Sequence, residues 1–121
     1  MNKWLEVRIK GSDISRFFSD NRLNGIAVYG AGALGRRMLD ELRECGLDIR
    51  CVIDRNARDI VDIKDIPVVN MDDEWPEVDV IVITPIFFYE ISSAIREKIG
   101  NDVNIVAIDD VIDYCYMELM R

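Results

Sequence analysis

The apolar residues of this chain follow two patterns that alternate from residue 25 onward. Short, largely apolar runs lie at 26–29, 49–54, 66–69, 80–84 and 103–108, and such runs are typical of parallel strands that are buried on both faces. After the first, fourth and fifth runs, apolar residues recur every three or four positions, as on one face of an amphipathic helix. The alternation predicts an α/β fold in which helices cover both faces of a parallel sheet.

Three helices are predicted in this alternating part, at about 33–45, at about 87–99 and after Asp109 or Asp110, either of which is a suitable cap. The second and third apolar runs are joined by a polar loop at 55–65. On the first helix, opposite charges four residues apart are predicted to pair on the solvent side, namely Arg36 with Asp40 and Arg37 with Glu41.

Right-handed crossovers between successive strands predict a three-layer, Rossmann-like arrangement, with five strands in the order 3-2-1-4-5. The 121 residues are expected to form one domain over 1–121, with a helical lead-in at 1–24 and the alternating core at 25–121. The lead-in carries three large apolar residues, Trp4, Phe17 and Phe18. These residues either cover one face of the sheet, which we favour, or anchor an interface with another protein.

The charge balance argues against several classes of function. The chain has 23 acidic and 15 basic residues, a formal charge of −8 and no histidine. The excess of acid opposes binding to nucleic acid and to anionic membranes, and the lack of histidine removes His-based triads and most zinc sites. No apolar run is long enough to cross a bilayer and the N-terminus lacks a signal core, so we expect a cytoplasmic protein.

No catalytic or metal-binding residue is predicted. Cys45, Cys51 and Cys115 form no CxxC pair and are expected to be buried structural thiols. The acidic run at 72–77 lacks the spacing of a calcium loop and is expected to be solvated.

The turn after the first strand is the candidate ligand-binding site. Its residues fit the dinucleotide-binding spacing GxGxxG between a strand and a helix: Gly30, Ala31, Gly32, Ala33, Leu34 and Gly35. The first glycine permits a sharp turn, the second lets phosphate oxygens approach the main chain, and the third lets the helix lie close to the sheet. Free N–H groups at the start of the helix favour an anion there.

Asp54 ends the second strand, 24 residues after Gly30, near the usual spacing of a ribose-binding acid. Its carboxylate is predicted to accept hydrogen bonds from the 2′- and 3′-hydroxyls of an adenosine ribose and to repel a 2′-phosphate. This favours NAD over NADP, although the neighbouring Arg55 weakens the preference. The alternative is that Asp54 is only a turn residue at the end of a strand.

Thr84 and Pro85 end the fourth strand at the same edge of the sheet, where ligands of open α/β sheets bind. Thr84 offers a hydroxyl group, and Phe87 or Tyr89 is placed to flank a base or a sugar. The alternative for Phe87, and for Phe88 beside it, is that both begin the buried face of the following helix.

These segments resemble small Rossmann-type domains from bacterial surface-polysaccharide pathways. The resemblance rests on "VYGAGALG", "CVIDRN", "IPVV" and "VIVITPIFFYEI", and on the lead-in "NKWLEVRIKGSDISRFFSDN". Similar domains form the N-terminal part of sugar acyltransferases of the sialic-acid O-acetyltransferase type, precede the catalytic part of membrane-bound nucleotide-sugar dehydratases, or accompany glycosyltransferases. The resemblance implies that Gly30, Gly32, Gly35 and Asp54 bind a nucleotide, a nucleotide-sugar or a dinucleotide.

Three functions are compatible with the sequence. The first is a non-catalytic module that binds NAD, NADP or a nucleotide-sugar and serves a sugar-processing enzyme or a glycosyltransferase, as a monomer or a homodimer. The second is a minimal NAD-dependent oxidoreductase or epimerase, but none of the four tyrosines is followed by the lysine of a Tyr-x-x-x-Lys pair. The third is a ligand-free scaffold that docks on a glycosyltransferase.

Overall fold

The structure, a computed structural model, describes residues 2–60, 63 and 65–121. Its helices and strands follow in the order α1 (Asn2–Ile9), α2 (Ser15–Asp20), β1 (Gly25–Tyr29), α3 (Ala33–Glu44), β2 (Asp48–Ile53), β3 (Val68–Val69), β4 (Val80–Ile83), α4 (Phe88–Ile99), β5 (Asn104–Ala107) and α5 (Ile108–Leu119). The predicted loop at 55–65 contains a short 3-10 helix, Ala57–Asp59, while its residues 61, 62 and 64 lie outside the described residues.

The five strands form one parallel sheet in the order β3-β2-β1-β4-β5, which confirms the predicted fold class and strand order. Tyr29, the last residue of β1, pairs with Ile53 of β2 and with Ile83 of β4. The carboxyl ends of these three strands are therefore level. This register brings the glycine turn, Asp54 and Thr84 to one edge of the sheet.

Alternate residues of β1 serve the two faces of the sheet, as the pleat of a strand requires. Ile26 and Val28 belong to a core shared with α1, α2, α3 and α5. Ala27 and Tyr29 belong to a second core, which α4 covers together with the half-buried Trp75. The apolar run of β1 is thus buried on both sides, as predicted for a central parallel strand.

The aromatic residues of the lead-in belong to the first of these cores. Trp4 is 0% and Phe18 1% exposed, and the half-buried Phe17 packs against the same cluster. They cover a face of the sheet, which confirms the favoured interpretation. The idea that Trp4 and Phe18 anchor an interface with another protein is wrong, because their side chains are already buried within the chain.

Glu41 departs from the prediction that it lies on the solvent side of α3. Its side chain is buried, and its carboxylate accepts hydrogen bonds from Trp4 Nε1 at 3.1 Å and from the main-chain N–H of Ile14 at 2.9 Å. Arg8 lies 3.5 Å from the same carboxylate, and the guanidinium of Arg37 lies over the Trp4 ring, 4.3 Å from its centroid. Glu41 therefore ties the lead-in to α3, because only the folded lead-in supplies donors for its charge.

The boundary between β5 and α5 also differs from the prediction. The strand ends at Ala107 and the helix begins at Ile108, so Asp109 and Asp110 lie in the first turn of α5 rather than at its cap. Acidic side chains are favourable there because they face the positive end of the helix dipole. Among the described helices, none has the length and apolar character needed to cross a membrane. The single domain over 1–121 stays a prediction.

Candidate functional site

Gly30 makes the turn out of β1. Its φ is +103°, a value that side chains disfavour, and its N–H donates a 2.8 Å hydrogen bond to the carbonyl oxygen of Ile53. A Cβ atom at this position would overlap the hydroxyl oxygen of Thr84 and lie 3.0 Å from Pro85 Cδ. Only glycine therefore fits here, for conformational and steric reasons together.

Gly35 brings the start of α3 close to the turn. A Cβ atom on Gly35 would overlap the carbonyl oxygen of Gly30, which is main chain and cannot rotate away. This close approach matches the role predicted for the third glycine.

Gly32 differs from both of these glycines. It lies at the N-cap of α3 with φ −76° and ψ −171°, extended backbone that any residue adopts, and a Cβ atom there would meet nothing within 4 Å. Neither packing nor backbone conformation therefore requires glycine at position 32. Because glycine has no side chain, the space in front of the N-terminus of α3 stays open.

The N-terminal end of α3 carries four main-chain N–H groups, those of Gly32, Ala33, Leu34 and Gly35. The first hydrogen bond of the helical pattern runs from Arg36 N to Gly32 O at 3.0 Å, so these four donors precede it. Among the hydrogen bonds of residues 2–60, 63 and 65–121, none is donated by these four groups. Gly32 and Ala33 are exposed, so an anion from solvent can reach the donors and the positive end of the helix dipole.

Asp54 points toward the glycine turn. Its Oδ2 accepts a 2.8 Å hydrogen bond from Ala31 N–H, and its Oδ1 accepts one of 2.8 Å from Asn56 N–H. An ionised carboxylate offers about two acceptor positions on each oxygen, so one position on each remains. The carboxylate therefore supports the turn and keeps capacity for the hydroxyl groups of a sugar.

Arg36 approaches the turn from the helix. Its Nε donates a 3.0 Å hydrogen bond to the carbonyl oxygen of Ala31, and the predicted pair with Asp40 is not among the ion pairs of the described residues. Ala31 thus donates its N–H to the carboxylate of Asp54 and accepts a hydrogen bond from the guanidinium of Arg36 at its C=O. Sequence reasoning missed this role because the i,i+4 spacing offered Arg36 a more obvious partner.

Thr84 supports the turn from below. Its side chain is buried, its hydroxyl donates a 2.9 Å hydrogen bond to the carbonyl oxygen of Tyr29, and its N–H donates one of 3.1 Å to the same oxygen. The hydroxyl proton is therefore used inside the protein. Thr84 shapes the glycine turn instead of offering a donor to solvent.

A cleft of about 490 Å³ lies at this edge, between the ends of β2 and β4. It is lined by Tyr29, Gly30, Asp54, Arg55, Asn56, Pro85, Phe87, Glu90 and Ile91. The connection from β1 leads to α3 on one face of the sheet, and the connection from β4 leads to α4 on the other face. Ligands of open α/β sheets usually bind where the connections diverge in this way. Its size lies within the range of small-molecule sites, roughly 300–1,000 Å³.

The cleft brings together four of the predicted site residues: Gly30, Asp54, Arg55 and Pro85. The other six, Ala31, Gly32, Ala33, Leu34, Gly35 and Thr84, form the turn, the helix start and the support around it. Phe87 lines the cleft and is 62% exposed, whereas Phe88 is half-buried and packs on the core beneath α4. The alternative of a core role is thus confirmed for Phe88 alone.

Asn56, Glu90 and Ile91 line the cleft and were missed from the sequence. Helical spacing was an available signal for two of them, because Glu90 and Ile91 lie three and four positions after Phe87 and so share its side of the helix. Asp54 and Glu90 give the cleft two negative charges against one positive charge from Arg55. Any anionic group of a ligand is therefore better placed at the helix start than deep in the cleft.

Nucleophilic chemistry finds little support at the cysteines. Burial raises the pKa of Cys51 and of Cys115 to about 11, so both thiols stay protonated at neutral pH. Cys45 is only half-buried, so the expectation of a buried thiol is confirmed for Cys51 and Cys115 and is wrong for Cys45. Partial burial is still the main cause that raises the pKa of Cys45 above its usual value. In addition, the described residues that line the cleft beside the glycine turn include no cysteine.

Comparison of the chain with protein-family models, with curated proteins and with solved structures gave no match. The site is therefore interpreted from its own geometry.

Proposed function

We propose that this chain is a nucleotide-binding Rossmann module, non-catalytic by itself, that serves surface-polysaccharide or sugar-nucleotide metabolism in the bacterial cytoplasm. Its ligand is NAD, NADP or a nucleotide-sugar. Its partner is a sugar-processing enzyme or a glycosyltransferase. The pathway rests on the resemblance alone, whereas binding has support from geometry.

One observation carries the proposal. Among the described residues, the N–H groups of Gly32 and Ala33 donate no hydrogen bond, and both residues are exposed. A carboxylate is held at the neighbouring residue, 2.8 Å from Ala31 N. In a Rossmann site the helix start binds phosphate and an acid at the end of the second strand binds ribose. The proposed pose puts phosphates at the helix start, ribose at Asp54, and the base in the cleft near Phe87.

A thermal-shift panel tests the proposal with NAD, NADP, UDP-sugars, coenzyme A and S-adenosylmethionine. A ligand at one hundred times its Kd stabilises the folded state by about 2.7 kcal/mol, which raises Tm by roughly 5–15 °C in a chain of this size. We expect NAD or a UDP-sugar to do so, and coenzyme A and S-adenosylmethionine not to. If none of the nucleotides changes Tm at millimolar concentration, the proposal is wrong.

Gly32→Val is the variant matched to this test. The valine side chain enters the space where phosphate is proposed to lie. The backbone there is extended, and a Cβ atom would meet nothing within 4 Å, so the substitution causes no clash. We expect Tm without ligand to stay within a few degrees of that of the unaltered chain and the ligand-induced shift to vanish. An unchanged shift would mean that the ligand binds elsewhere.

One observation favours the alternative function, in which the chain is a ligand-free scaffold that binds another protein. Ile86, Phe87 and Tyr89, beside the cleft, are 89%, 62% and 82% exposed, and clustered exposed apolar side chains often mark contact surfaces. Sedimentation of the chain with and without the substitutions Ile86→Ser and Tyr89→Ser tests for a homodimer through this surface. A sedimentation coefficient that the substitutions leave unchanged excludes it.

A further inference from the structure

We infer that Arg36 is the phosphate-recognition residue of this site, so that affinity increases with the number of phosphates on a nucleoside. The inference rests on the proposed nucleotide-binding function. It begins from the position of Arg36, whose guanidinium is fixed to the glycine turn by the 3.0 Å hydrogen bond from Nε to Ala31 O.

The bond to Ala31 uses one of the five N–H donors of the guanidinium. Among the hydrogen bonds and ion pairs of the described residues, none uses the two terminal amino groups of Arg36, and the residue is exposed. Two amino groups on a planar, pre-positioned cation match two oxygens of a phosphate group. The side chain is thus oriented before any ligand binds.

The charges around the turn create the need for such a cation. The carboxylate of Asp54 is bound to Ala31 N–H, so its negative charge lies beside the N–H groups proposed to bind phosphate. The helix end contributes only about half a positive charge, which is less than the charge of one carboxylate. A diphosphate therefore needs a further positive charge at the turn, and its unfavourable interaction with Asp54 grows with each phosphate.

The two neighbouring arginines are less suitable than Arg36. The guanidinium of Arg37 is 4.3 Å from the Trp4 ring centroid, where it covers the lead-in. Arg55 lines the cleft on the side of β2, next to Asp54. Arg37 thus provides a matched control on the same helix, since its loss changes the net charge by the same amount.

Calorimetric titrations with adenosine, AMP and ADP, and with uridine, UMP and UDP, test the inference on the unaltered chain, Arg36→Gln and Arg37→Gln. We expect Arg36→Gln to weaken diphosphate binding about tenfold or more, as loss of one charge-assisted hydrogen bond predicts. Monophosphate binding should weaken less and nucleoside binding by less than twofold. Arg37→Gln should change each affinity by less than threefold, and Arg36→Lys should restore part of the diphosphate affinity.

Each other outcome has a definite meaning. An equal loss for monophosphates and diphosphates in Arg36→Gln would show that Arg36 only supports the turn. An equal loss of affinity in Arg36→Gln and Arg37→Gln would show a general charge effect, and unchanged diphosphate affinity in Arg36→Gln would show that Arg36 does not contact phosphate. Each of these results overturns the inference while leaving nucleotide binding intact. If the unaltered chain binds none of the six compounds, the inference is overturned, and the thermal-shift panel with NAD, NADP and UDP-sugars decides separately whether the proposed function fails as well.

Discussion

Separate alanine substitutions at Gly30, Gly32 and Gly35 test whether the three glycines of the turn have different physical roles. At Gly30, alanine must adopt a φ near +103°, which costs roughly 1–3 kcal/mol. Its Cβ also displaces the Thr84 hydroxyl, whose bond to Tyr29 O contributes about 1 kcal/mol. We expect Gly30→Ala to lower the free energy of unfolding by about 3 kcal/mol.

At Gly35, two effects oppose each other. Alanine is the better helix former by about 1 kcal/mol, but its Cβ overlaps the carbonyl oxygen of Gly30. Moving the start of α3 to relieve that overlap costs up to about 3 kcal/mol, by analogy with overpacked cores. The expected net loss for Gly35→Ala is about 2 kcal/mol.

At Gly32, neither penalty applies. The backbone is extended and the Cβ would meet nothing within 4 Å. Alanine is a poorer N-cap than glycine by roughly 0.5 kcal/mol, and its lower entropy in the unfolded chain offsets a similar amount. The expected change for Gly32→Ala is therefore within about 0.5 kcal/mol of zero.

Urea unfolding followed by circular dichroism measures all three variants. With a slope of about 2 kcal/mol per molar urea, a loss of 2 kcal/mol lowers the midpoint by about 1 M. A loss at Gly32 as large as at Gly35 would contradict the open space in front of the helix. A neutral Gly35→Ala would contradict the close approach of α3 to the turn.

Three further predictions concern the rest of the molecule. Glu41→Ala should lower the free energy of unfolding by about 3 kcal/mol in urea titrations, because it leaves the buried N–H groups of Trp4 and Ile14 without an acceptor; a loss below 1 kcal/mol would contradict this. Burial raises the pKa of Cys51 and Cys115 from 9.0 to about 11, so these thiols ionise at lower pH in the unfolded chain than in the folded one. Their contribution to the free energy of unfolding is fully present below pH 9 and should be lost toward pH 11, by up to about 3 kcal/mol per thiol. Equilibrium unfolding between pH 8 and pH 11 checks this, and a flat profile would contradict it. Asp54→Asn keeps an acceptor for Ala31 N–H and removes the charge, so any preference for NAD over NADP should decrease roughly tenfold in calorimetric titrations; an unchanged preference would mean that Asp54 does not contact the ribose.

The sheet could be predicted because its strands carry strong local signals. Two adjacent strands, β1 and β4, are buried along their whole length, and each is followed by a turn and a helix. The crossover rule then fixed the order of the strands. The common edge of the glycine turn and Thr84 followed from the same reasoning. The register that makes the ends of β1, β2 and β4 level, and so brings Gly30, Asp54 and Thr84 together, is a finding of the structure.

The wrong side-chain partners were predicted where another contact replaces the i,i+4 pair of a helix surface. Glu41 has the spacing of a surface ion pair with Arg37, but the lead-in folds over α3 and supplies buried N–H donors to its carboxylate. Arg36 likewise has an i,i+4 partner in Asp40 but binds the carbonyl oxygen of Ala31. The Glu41 contact depends on the lead-in, which a distant part of the chain brings into place. The Arg36 contact spans only five residues, but it depends on the conformation of the glycine turn, which the i,i+4 spacing of a helix does not encode.

The most direct test of nucleotide binding at the glycine turn is an NMR titration of the 15N-labelled chain with the nucleotide that raises Tm most. The prediction is that the amide signals of Gly32, Ala33 and Leu34 shift more than all others, because their N–H groups acquire phosphate acceptors. Signals of α5, on the face away from the cleft, should not shift. Binding that leaves the three amide signals unchanged, or the absence of any shift at millimolar nucleotide, would contradict the account.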